Sequence, residues 1–125
     1  MQVMDSTGAG EGGTLHDLLV RASCRGYQTE GREVIAHWKV PDAADTIDLF
    51  LPGLGRIEEI ETEESFEAIS DSRLSFLQEL PQEIWFVVPL ARMSEAHQRL
   101  RGTADVLQPW WVHDHLIRFG QPRNL

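Results

Sequence analysis

The stretch Thr46-Ile-Asp-Leu-Phe-Leu-Pro-Gly-Leu-Gly-Arg-Ile-Glu-Glu-Ile-Glu-Thr-Glu63 decides how this chain folds. It reads as two short β-strands, over 46–51 and 56–62, joined by a Pro/Gly turn. Side chains alternate across a strand, so Glu59 and Glu61 share one face and Ile60 takes the other. A hairpin closing symmetrically about Gly53 and Leu54 sets Asp48 opposite Glu59, with β-carbons about 4.5–5.5 Å apart. Asp48, Glu59 and Glu61 are then expected on one face. Like charges so close repel each other. A divalent cation would relieve that repulsion, because Mg²⁺ and Mn²⁺ prefer hard carboxylate oxygens. An acidic edge turned to water is the plainer reading of the same residues.

Period-two patterning continues upstream. Across Arg32–Val40, Val34, Ala36, Trp38 and Val40 alternate with Glu33, Ile35, His37 and Lys39, and Pro41 ends the strand. Three consecutive antiparallel strands are therefore expected. Before them, Thr14 is placed as a helix N-cap, with Leu15, Leu18, Leu19 and Ala22 as an inward stripe and Gly26 as the stop. After the hairpin, Thr62 to Ser65 carries helix-start chemistry, and a helical apolar face runs from Phe66 to Leu80 before Pro81. Ile84-Trp-Phe-Val-Val-Pro89 is a continuous apolar run, as in a strand buried on both faces in parallel pairing. A last helix spans roughly Ala91–Arg101, with Met93, Ala96 and Leu100 inward and Gly102 closing it. The tail, with Trp110, Trp111 and His113-Asp-His115, follows neither period cleanly. The expected fold is an α/β single-domain sandwich with a mixed sheet, in the order α-β-β-β-α-β-α.

Composition bounds the rest. The 125 residues make one domain with a real core, here 14–125, after a Gly/Ser/Thr-rich leader over 1–13 expected to be disordered. Cys24 is the sole cysteine, so no intrachain disulfide can form, which fits a cytoplasmic protein. No apolar run approaches a membrane span, so no membrane association is expected. Eleven Lys and Arg against twenty Asp and Glu leave a net charge of −9. That balance argues against tight, free-standing nucleic-acid binding, which needs clustered cations, and makes a partner protein the expected route to any nucleic acid. Exposed tryptophans on a small acidic domain are also compatible with a homodimer.

The element order, with its acidic hairpin, resembles the PD-(D/E)XK nuclease-like superfamily, also called the restriction-endonuclease-like fold. Asp48, then Glu59-Ile-Glu61, then the Thr62-Glu-Glu-Ser65 helix start carry the resemblance, which covers most of 14–101. It implies that Asp48 and Glu59 hold a divalent metal, and it assigns a catalytic lysine to the position that Glu61 occupies here. Glu61 inverts that charge. It would serve either as a further ligand, as in two-metal hydrolysis, or as the mark of lost catalysis. Asp42, in the literal Pro41-Asp42 pair, is the weaker aspartate because it lies in a turn. Lys39 is a stand-in cation only if the register slips by one residue.

Two functions follow as expectations. One is a Mg²⁺- or Mn²⁺-dependent phosphodiesterase acting on nucleic acid through Asp48, Glu59 and Glu61, or its catalytically degenerate descendant. The other is a non-enzymatic interaction or regulatory module that keeps the fold. The remaining candidates carry less. His113 and His115 lack a third ligand nearby, Asp17 is explained by helix capping as well as by an outer metal shell, and Cys24 reads as a buried structural thiol. Trp110 and Trp111 read as core or interface residues.

Overall fold

The computed structural model describes residues 14–125. The leader expected over 1–13 lies outside the described residues. An open, mixed seven-stranded sheet forms the centre. Its elements are α1 (Leu15–Thr29), β1 (Ile35–Lys39), β2 (Thr46–Leu51), β3 (Arg56–Ile60), α2 (Glu63–Glu67), α3 (Asp71–Gln78), β4 (Glu83–Pro89), α4 (Met93–Arg99), β5 (Val106–His113), β6 (Leu116–Phe119) and β7 (Arg123–Asn124). The sheet runs β1-β2-β3-β4-β5-β6, with β7 also on β5. β1, β2 and β3 pair antiparallel, whereas β3, β4 and β5 are parallel.

Helices cover both faces, as a parallel centre requires. On one face α1 packs Leu19 and Val20 against Leu49, Leu51, Ile60, Val87 and Trp110. On the other, Phe66 of α2, Leu74 and Leu77 of α3 and Ala96 of α4 pack on Ile57, Ile84, Phe86 and Val88. β3 therefore lies inside the sheet with both sides covered, and every one of its five residues is buried. No wet face remains for its acids.

Several expectations are corrected. α1 runs through Gly26 and stops near Gly31, whose φ of 80° favours glycine. Its buried residues are Leu19, Val20 and Ser23, which leaves Leu15 and Leu18 at the surface. The helix expected between Phe66 and Leu80 is two helices, because the Ser70 hydroxyl accepts from the Arg73 N–H and caps a new start. The unassigned tail is strand: β5 lies against β4, and Asp114 and His115, at φ 52° and 62°, make the tight turn to β6. His113 and His115 are thus hairpin residues.

The hairpin register is as read: Leu49 pairs with Glu58, Phe50 with Ile57 and Leu51 with Arg56. The expected single acidic face is not formed. His37, at φ 53°, interrupts the β1–β2 ladder opposite Asp48. Ile47 and Phe50 consequently pack with the α3 layer, while Leu49 and Leu51 pack with the α1 layer. Asp48 turns to α1 and Glu59 to α3.

Candidate functional site: an internally paired acid centre

Asp48 and Glu59 meet where the β2–β3 ladder gives out. Beyond the Leu49–Glu58 pair, side chains take over the backbone donors: Glu59 Oε2 accepts from the Asp48 N–H at 3.2 Å, and Asp48 Oδ2 accepts from the Ile60 N–H at 2.7 Å. The outer oxygens have partners too. His16 Nε2 of α1 lies 3.1 Å from Asp48 Oδ1. Arg73 of α3 donates to Glu59 Oε1 from Nε at 3.2 Å and Nη2 at 2.7 Å. Each of the four oxygens therefore already faces a protein donor.

Glu61 lies just past β3, extending the parallel ladder through its N–H to the Val87 carbonyl at 2.8 Å. Its own carbonyl accepts from the buried Trp110 indole N–H at 2.9 Å. Thr62 and Ser65 then form a reciprocal capping box that opens α2.

Burial sets the protonation of this centre. It pushes the Glu59 carboxyl up to about 7, assisted by the Asp48 charge and opposed by Arg73. Burial raises Glu61 as well, opposed by the neighbouring Ser65 hydroxyl. The hydrogen bond to Asp48 raises His16, and burial opposes it. Arg73 is the one fixed cation of this centre.

A second buried acid, Glu58, sits on the α1 face and is 1% exposed. Tyr27 of α1 donates its hydroxyl to Glu58 and accepts from Arg56 Nη2 at 2.9 Å. Arg56 lies with its guanidinium carbon 3.7 Å from the Trp85 ring centre, and its Nε is 3.2 Å from Glu58 without hydrogen-bond geometry. Burial raises Glu58, countered by Tyr27 and then Arg56.

Among the described residues, no three His, Cys, Asp or Glu side chains are grouped so as to hold a metal ion. A Mg²⁺ or Mn²⁺ at Asp48 and Glu59 would first have to displace Arg73 or His16. The other candidates lie elsewhere. Lys39 donates to the Ala43 carbonyl in the β1–β2 turn, and Asp42 occupies that turn at φ 62°. Asp17 is 4.0 Å from the neighbouring His16. Burial and then the Glu58 charge raise the Cys24 thiol, which disfavours the nucleophilic thiolate. Sequence reasoning missed Arg73, Glu58, Arg56 and Tyr27. The available signal was that a central strand with four consecutive residues Glu58-Glu-Ile-Glu61 must find buried partners for its acids.

No family model, curated protein or solved structure matches this chain. No helix among the described residues is long and apolar enough to cross a membrane.

Proposed function

We propose that this chain is a catalytically degenerate nuclease-like domain that works as a non-enzymatic interaction module. The observation that carries this reading is the occupation of all four Asp48 and Glu59 oxygens by His16, Arg73 and two backbone N–H groups. Phosphodiester hydrolysis needs open carboxylate oxygens for the cation and a positive charge for the developing phosphorane. Glu61 stands where the resemblance asks for that charge, and a net charge of −9 opposes a phosphate backbone.

A second reading, a Mg²⁺- or Mn²⁺-dependent phosphodiesterase, is favoured by Arg73, whose guanidinium sits beside the acids and could replace the lysine's charge. Cleavage assays on single- and double-stranded DNA and on RNA, with either ion, separate the two. The module reading expects no cleavage by the wild type. Metal-dependent cleavage that disappears in both Asp48→Ala and Glu59→Ala would overturn it. Cleavage gained only by Glu61→Lys would support descent from a nuclease and leave the wild type a module.

A further inference from the structure

Two arginines without a partner share one cleft. Among the described residues, the Arg101 and Arg123 side chains form no hydrogen bond or ion pair, whereas Arg56, Arg73, Arg92 and Arg99 all hold acids. The cleft, about 340 Å³, lies between α4 and β7, and His97 lines it as well. Sheet register explains the meeting. Leu107 of β5 packs with Ala96 and Leu100 in the α4 layer, and Arg123 pairs with Leu107 across the ladder. Cross-strand partners share a face, so Arg123 is held on the α4 side. There Arg101 follows the last turn of α4, just before Gly102 at φ 91°. The negative end of the α4 dipole accounts for His97 and Arg99 in that turn. It does not account for a cation brought in from another strand.

The lining gives the chemistry of the ligand. No Asp or Glu side chain lines the cleft, in a chain with twenty acids, and the Leu125 carboxylate pairs with neither arginine. Like charges gathered without an acid repel until an anion joins them. Planar guanidinium forks match phosphate oxygens, and two of them balance a dianion. Beside them Met93 and the buried Leu107 supply an apolar wall. We propose that this cleft binds a phosphate monoester, with the dianion on Arg101 and Arg123 and the organic group against Met93 and Leu107. None of these residues belongs to the acid centre, so the proposal goes beyond the module reading and does not rest on it.

Calorimetric titration of the full chain with phenyl phosphate, beside inorganic phosphate and phenol, tests it. Phenyl phosphate is expected to bind with submillimolar affinity, at least about tenfold tighter than inorganic phosphate, and phenol not to bind. Arg101→Ala and Arg123→Ala should each weaken it at least about tenfold at unchanged thermal stability, because both side chains are exposed. Arg118→Ala, which removes an unpaired arginine from β6, should leave binding unchanged. A glycine-flanked phosphotyrosine peptide distinguishes the sources of the monoester. Binding at least as tight as phenyl phosphate assigns the group to a partner protein, exclusion assigns it to a free small molecule, and either supports the proposal. No saturable binding at millimolar phenyl phosphate would overturn it. So would equal losses in Arg118→Ala and Arg123→Ala, which mark diffuse attraction, or equal affinity for inorganic phosphate. A thymidine oligonucleotide bound through Arg101 and Arg123 while phenyl phosphate is ignored would overturn it in favour of a nucleic acid. Nuclease activity in the wild type would sink the module reading and leave this cleft standing.

Discussion

Arg73 donates from Nε and Nη2 to a single oxygen of Glu59, at 3.2 and 2.7 Å, and its Nη2 also reaches the Thr46 carbonyl at 2.8 Å. One guanidinium from α3 thus ties the start of β2 to the end of β3 and neutralises an acid that is only 5% exposed. Removing one partner of a buried pair leaves the other uncompensated, a loss of about 3–5 kcal/mol in fully buried cases. Arg73 is a quarter exposed and Glu59 can take up a proton, so the loss should be smaller. Arg73→Ala should cost about 1–3 kcal/mol at pH 8 in urea unfolding. The loss should shrink at pH 5, where a neutral Glu59 has less need of the cation. A pH-independent loss would contradict the assignment.

Stability should fall as pH rises from about 4.5 to about 7. Glu59 titrates near 7 in the fold, above its ordinary 4.5, so the folded state binds more protons across that window. A raised carboxyl gives its full stabilisation below the unfolded value and loses it as pH climbs through the folded one. Glu58 and Glu61 are raised by burial and act in the same direction, as does His16, raised by its bond to Asp48. The Glu59 contribution is on the order of 3 kcal/mol. Melting temperatures measured from pH 4.5 to 8 should decline, and Glu59→Gln should flatten the curve. A profile that rises over this range would show that these acids are not desolvated as described.

The second acid has its own test. Tyr27→Phe removes the hydroxyl that donates to Glu58 and accepts from Arg56, leaving a charge-capable group inside the α1 face short of a donor. Equilibrium unfolding should show a loss of about 1–3 kcal/mol. A change below about 0.5 kcal/mol would mean that water or Arg56 meets Glu58 unaided.

What the sequence made legible was mostly local. The strand alternation and turn residues placed β1, β2 and β3 and set the hairpin register, and the apolar run at Ile84–Pro89 announced a strand in parallel pairing. Asp48 and Glu59 do meet at the end of the hairpin, but through backbone N–H groups and turned to opposite helix layers rather than on one face with Glu61. Their orientation was illegible, because it depends on His37 adopting φ 53°, a conformation that histidine does not advertise as glycine would. Arg73 and His16 reach the centre from helices fourteen residues after Glu59 and thirty-two before Asp48, so only the packed layers reveal them. The β5–β6 hairpin was hidden for another reason. Its turn uses Asp114 and His115 in the left-handed region, without the glycine that usually signals such a turn.

The central claim, that protein donors close the acid centre against a cation, is tested most directly by calorimetric titration of the purified protein with Mg²⁺ and Mn²⁺ at pH 7.5. The account predicts no saturable heat at millimolar ion, and no melting shift beyond that of an Asp48→Ala/Glu59→Ala double variant. Stoichiometric binding that raises the melting temperature with ion concentration, and that vanishes in the double variant, would contradict it.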